Sequence, residues 1–222
     1  MLRPEPRADP ALDIALRSIA PDGVVTGSRR IDAADVELLK PEEWAAIRRS
    51  VDKRRHEFAT GRVLLRQLIG SNSHIPIGHD RAPILPTGVV ASLAHDDRFA
   101  VAAVAHATGW ALGIDVEPVT PLASDIASLV LRPDEVALDA HLAFTLKEAA
   151  YKAWSRCGGR LLDHHEVRLA VGSATFTAEI VDAGVHLDGQ YARADDRWVA
   201  LVVTAGNRFG GPGVHVSRQA RP

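Results

Sequence analysis

The sequence predicts an α+β protein built of two similar halves, each an antiparallel sheet packed by a long helix. Three observations carry this expectation. A long stretch of helical period, residues 41–69, is followed by three short alternating segments that end at Pro118. A second helical stretch, residues 140–156, is followed by four more strand-like segments that end at Thr204. A boundary is placed at the turn Ala107-Thr-Gly109, before the third segment of the first series, giving an N-terminal half over 1–108 and a C-terminal half over 109–205. Residues 206–222 are Gly-rich and carry arginines, and are expected to be a disordered tail.

Residues 1–10 are broken by proline and read as an irregular lead. Weak strand signals follow at Ile14–Leu16 and Gly23–Val25. Asp32 caps a short helix over 32–39, and Pro41, at a first helical position, opens the long helix. Trp44, Ile47, Val51, Phe58, Leu65 and Ile69 form one apolar arc of that helix. Arg48, Arg55, Arg62 and Arg66 form a basic stripe on another side, and Arg54 lies nearer the apolar arc. The helix carries few acids near the stripe, which leaves either a solvated face or an anion site. Residues 70–88 read as a loop with Arg81 as its cation. Val89–His95 and Phe99–Ala105 form a hairpin about Asp96-Asp97-Arg98, and Trp110–Pro118 completes a three-stranded meander. Residues 119–140 hold short helices and loops, with Pro133-Asp-Glu-Val as a helix start. In the helix over 140–156, Leu142, Leu146, Ala149, Ala153 and Trp154 share one arc, and His141, Phe144, Thr145, Glu148 and Lys152 the opposite one. Strands are expected over 166–171, 175–181, 184–191 and 197–204.

Composition excludes several functions. The 222 residues are 46% hydrophobic and 24% charged, ordinary for a globular protein with a real core. A net charge of −2 gives no global attraction to nucleic acid or membrane. The single cysteine, Cys157, excludes an intrachain disulfide framework and fits a reducing cytoplasm. The proline-broken, charged start is unlike a signal peptide, and no apolar run reaches membrane-spanning length.

The segment Trp110-Ala-Leu-Gly-Ile-Asp-Val-Glu-Pro118 is the chemical centre. Alternation places Asp115 and Glu117 on one strand face, with Gly113 clearing space beside them, and Pro118 ends the ladder. Two carboxylates this close repel unless a cation lies between them. A hard dication such as Mg2+ suits oxygen ligands and keeps room for phosphates. The alternative is a solvated strand end with two harmless acids, which this segment taken alone favours because Asp-x-Glu is a common tripeptide. Glu148 and Lys152, four apart, share a helix face and are either a surface pair or part of the same site. Ser92 and His95 lie at the end of a strand, and His95 is either a turn residue or a phosphate contact.

In this order, Arg54-Arg-His-Glu-Phe-Ala-Thr-Gly-Arg62, Ser92-Leu-Ala-His95, Gly113-Ile-Asp-Val-Glu117 and Phe144-Thr-Leu-Lys-Glu-Ala-Ala-Tyr-Lys-Ala-Trp154 resemble the 4′-phosphopantetheinyl transferases of the Sfp/EntD type, over roughly residues 40–205. The resemblance implies a pseudo-dimer of two α+β halves with coenzyme A in the cleft between them. The N-terminal half would supply phosphate and adenine contacts, and the C-terminal half the metal and catalytic residues. Asp115, Glu117 and Glu148 would hold Mg2+, with Mn2+ as the alternative ion. Glu148 would act as base and Lys152 would contact the phosphates. Arg54, Arg55, Arg62, Arg81, Ser92, His95 and Lys147 would complete the coenzyme A site. The partner would be an acyl or peptidyl carrier protein, and the enzyme a cytoplasmic monomer. Two departures stand out. Ala94 occupies a position where Ser or Thr is usual, and Arg81-Ala-Pro83 replaces Lys-Gly-x-Pro. A Mg2+-dependent nucleotide phosphohydrolase and a non-catalytic carrier-binding module are the competing readings.

Overall fold

The computed structural model describes residues 7–78 and 82–205. Arg81 and the tail 206–222 lie outside the described residues. The class is α+β, with two antiparallel sheets. The order is α1 (Pro10–Ser18), β1 (Val24–Arg30), a 3-10 turn (Ala33–Leu38), α2 (Pro41–Ile47), α3 (Asp52–Ile69), β2 (Val89–His95), β3 (Phe99–His106) and β4 (Trp110–Pro118). Then come α4 (Ser124–Val130), α5 (Ala140–Arg156), β5 (Val167–Val171), β6 (Thr175–Ile180), β7 (Val185–Ala194) and β8 (Arg197–Ala205).

The three-stranded sheet runs β1-β3-β2 and the five-stranded sheet β4-β8-β7-β6-β5. The expected meander of β2, β3 and β4 is therefore wrong. After β3 the chain leaves the first sheet, and β4 pairs with β8 over Trp110–Pro118 and Arg197–Ala205. The two sheets instead face each other along β2 and β4, joined where Ile114 N donates to Ser92 Oγ at 3.0 Å. Strand alternation alone cannot reveal this, because a strand's period does not name its neighbour.

Ile14–Leu16 is helical, not a strand. Asp9 accepts from Leu12 N at 3.0 Å and Pro10 opens α1, which buries Leu12, Ala15 and Leu16. That buried face packs with Val101 of β3, Ile114 of β4 and Leu201 of β8, so one core underlies both sheets. A second core lies between α5 and the five-stranded sheet, and a third between α3 and the three-stranded one.

The expected helix over 41–69 is two helices, broken where Val51 turns extended at φ −66°, ψ 156°. On one continuous helix Glu43 and Arg66 would stand about 34 Å apart. Folded back, they form a buried ion pair at 2.6 Å, and Glu43 also accepts from Ile75 N. The break leaves Trp44 and Val51 exposed, so the apolar arc ends at α3. Pro133 starts no helix. Asp139 caps α5 instead, accepting from Leu142 N at 2.9 Å, and Thr145 is buried despite its place on the polar arc.

Candidate functional site

The site is built where α5 lies across β4. A Cβ at Gly113 would sit 1.9 Å from Ala149 O and 2.6 Å from Ala153 N, so only glycine admits the helix backbone this close. Ala149, Ala150 and Ala153, fully buried, form the helix face at the contact. The approach brings Lys152 Nζ to 2.6 Å from Asp115 Oδ1 and 3.1 Å from Ile114 O. The Glu148–Lys152 pair is therefore not a surface pair: Lys152 is turned onto the acid strand.

Asp115 is 4% exposed, and its Oδ2 is buried without a hydrogen-bond partner. Burial pushes its carboxyl up to about 6, against the pull of Lys152. Glu117 rises to about 8, first through burial and then through the charges of Asp115 and Asp96. Glu148 is raised by burial, with Lys152 opposing. The charge of Glu148 acts on both Asp115 and Glu117, so the three acids share one electrostatic site. Histidines stand at its edge, with His141 Nε2 at 3.9 Å from Glu117 and His164 Nε2 at 4.0 Å from Glu148.

The donor set suits a hard dication: carboxylate oxygens, mutual repulsion and one unsatisfied buried oxygen. Among the described residues, no three acid, histidine or cysteine side chains are already closed into a metal-binding cluster, and Asp115 Oδ1 is taken by Lys152. The fit is thus one of chemistry and placement.

On the opposite side of the seam, Ser92 is buried and accepts from Ile114 N, which leaves its own hydrogen free to donate. His95 Nε2 lies 3.7 Å from Glu57, and Arg54 Nη1 reaches the same carboxylate at 3.9 Å. Arg54, not Arg55, therefore stands with His95. Arg55 bonds Asp52 and the carbonyl of Arg48 and lies 6.0 Å over the Trp44 ring. A cavity of about 400 Å³ opens along the seam, lined by Pro83, Val90 and Ala91 on one side and Trp110, Leu112 and Arg156 on the other.

Two of the expected coenzyme A contacts point into the protein. Lys147 is 0% exposed and donates to Glu135 at 2.6 Å, Val130 O at 2.8 Å and His164 O at 3.0 Å, so its ammonium is fully spent inside the protein. Arg62 is 3% exposed, donates to Ile75 O at 3.0 Å and lies 4.4 Å over Phe58. Burial lowers it to about 10, so it stays charged. With Arg66 bound to Glu43, half of the basic stripe is interior, and the acid that pairs with it comes from α2. Glu57, Glu135 and Glu43 escaped sequence reasoning because their partners are remote or offset in the chain. Only Glu57, inside the arginine motif, left a local signal.

The frame is thus α+β, with an acid–lysine site at the seam of its two sheets. Residues 42–105 match the model of the 4′-phosphopantetheinyl transferase N-terminal domain, and residues 111–202 that of the 4′-phosphopantetheinyl transferase superfamily. The chain is 39% identical over 215 residues to 4′-phosphopantetheinyl transferase Svp of Streptomyces mobaraensis, covering 86% of this chain and 87% of that one. It is 32% identical over 210 residues to 4′-phosphopantetheinyl transferase Npt of Nocardia iowensis, covering 83% and 94%. With PptT of Mycobacterium tuberculosis it shares 36% identity over 129 residues, 51% of this chain and 57% of that one. The chain belongs to the 4′-phosphopantetheinyl transferase family and is an enzyme of that class. Among the described residues no helix is long and apolar enough to cross a membrane.

Proposed function

We propose that the protein moves 4′-phosphopantetheine from coenzyme A to a serine of an acyl or peptidyl carrier protein, in a Mg2+-dependent reaction that releases 3′,5′-ADP, and that it works as a cytoplasmic monomer. Its two halves would be 1–108, contributing coenzyme A contacts, and 109–205, contributing the acids and Lys152. The observation that carries the reading is Asp115 Oδ2, a buried acceptor without a partner, held beside Lys152 at the seam of the two sheets.

Asp115, Glu117 and Glu148 would hold the dication, which would supply positive charge to the phosphoryl oxygens. Glu148, raised by burial, is poised to accept the serine proton. The serine oxygen bonds to the β-phosphorus while the bond to the bridging oxygen breaks, and the electron pair leaves with 3′,5′-ADP. Lys152 fixes Asp115 and supplies positive charge beside the leaving phosphate. Arg54 and His95 offer cationic and donor groups to the 3′-phosphate side, Ser92 its remaining hydrogen, and Arg55 a more distant cation.

The test is to mix the protein with apo carrier, coenzyme A and Mg2+ and weigh the carrier. One added phosphopantetheine supports the reading. Coenzyme A consumed without labelling identifies a phosphohydrolase, and neither change identifies a binding module.

A further inference from the structure

Arg197 has no part in the chemistry above, yet it is 3% exposed and charged. It opens β8. Its Nε donates to Asp96 Oδ2 at 2.5 Å and its Nη1 to Asp196 Oδ1 at 2.5 Å. Nη2 stands 3.6 Å from Asp97, and the guanidinium lies 5.0 Å over the Phe99 ring. Asp96 lies in the β2–β3 turn of one sheet and Arg197 in β8 of the other, 101 residues apart.

Each partner is anchored next to one side of the site. Asp96 follows His95, and its Oδ1 accepts from Arg98 N and Phe99 N at 2.7 Å, which shapes the β2–β3 turn. Arg197 pairs with Pro118 in the β4–β8 register, beside the Glu117–Trp198 pair. Val119 N donates to Asp196 O at 2.7 Å, tying the end of the acid strand to the β7–β8 turn. A second, exposed pair, Arg98–Asp196 at 3.2 Å, crosses the same joint.

We propose that the buried Asp96–Arg197 pair is a clasp that sets the separation between His95 and Glu117, and so positions coenzyme A across the seam. Arg197 is a positioning residue: it acts through Asp96 and touches no substrate. The proposal rests on coenzyme A spanning both halves. A buried ion pair adds little net stability over apolar residues of the same volume, but its geometry is exacting when satisfied. The guanidinium fork supplies that geometry, reaching Asp96, Asp97 and Asp196 from one plane.

The test is coenzyme A affinity by calorimetry with Mg2+ present, together with separate KM values for coenzyme A and carrier. Arg197→Met and Asp96→Asn should each weaken coenzyme A about tenfold or more while KM for carrier stays unchanged. Arg197→Lys should recover part of the loss, and the double variant should be no worse than the poorer single one. Asp96→Asn keeps an acceptor for both turn amides, so it carries the test should Arg197→Met not fold. Folded variants with unchanged coenzyme A affinity overturn the clasp, as do losses that follow the folded fraction equally for both substrates. A wild-type protein that binds coenzyme A without labelling carrier removes the transfer reading and leaves the clasp to be judged by affinity. One that binds no coenzyme A overturns both.

Discussion

Gly113→Ala is the sharpest single perturbation of the site. The new Cβ would stand 1.9 Å from Ala149 O, a backbone atom that cannot rotate away. Real Cβ contacts essentially never fall below 3.0 Å, so α5 must retreat from β4 by about 1.1 Å. Glu148 and Lys152 ride on that helix, whereas Asp115 and Glu117 ride on the strand. A shift near 1 Å between groups acting together costs ~10²-fold in rate. The overpacking itself costs about 1–3 kcal/mol, roughly 2–12 °C of melting temperature for a chain of this length. The assay is carrier labelling followed by mass, run beside a thermal melt. Wild-type labelling with an unchanged melt would refute the claim that the α5–β4 contact sets the site. Gly61→Ala is the control. Its Cβ would meet Leu93 Cδ2 at 2.8 Å, the far end of a flexible side chain, so labelling should stay near wild type.

Asp115→Asn and Glu148→Gln should each lower labelling by about 10²–10³-fold with the melt preserved; near-normal labelling by either purified variant removes that residue from the mechanism. Glu117, raised to about 8, holds its proton at neutral pH in the ion-free protein, so Mg2+ binding should release it. Affinity should then rise with pH between about 6 and 8, with proton release seen by calorimetry in two buffers and lost in Glu117→Gln; a flat pH profile defeats this. The same shift has a stability sign: the folded value lies above the unfolded one, so the ion-free protein loses stability as pH rises from about 4.5 through 8. Lys147→Ala strands the buried Glu135 and should cost about 3–5 kcal/mol, read as a lower melt with KM for coenzyme A unchanged. A small melting change with a raised KM would return Lys147 to the substrate site.

The chain makes some of this legible and hides the rest for identifiable reasons. Period and punctuation place β2, β3 and β4, the four C-terminal strands and α5 to within a few residues, because each announces itself in its own side chains. Asp115, Glu117, Glu148 and Lys152 were readable as a set because short motifs hold them, two residues apart on a strand and four apart on a helix. The split of α2 from α3 was not readable. Val51 carries no helix-breaking chemistry, and the break is decided by Glu43 reaching Arg66 and Ile75 N from a distance. Lys147 and Arg62 read as ligands for the same reason: a cation on a helix reads alike whether it faces phosphate, a buried carboxylate or a backbone carbonyl.

What the sequence alone determined, then, is local: the α+β class, the alternation that sets Asp115 beside Glu117, and the glycine without which no helix could cross that strand. Which strand lies next to which, that β4 leaves its hairpin to pair with β8, that Ser92 stitches the sheets together and that Arg197 meets Asp96 were settled only in three dimensions. The physical reason is that partners far apart in the chain are chosen by burial and charge compensation summed over the whole fold, and no short window of residues contains that sum.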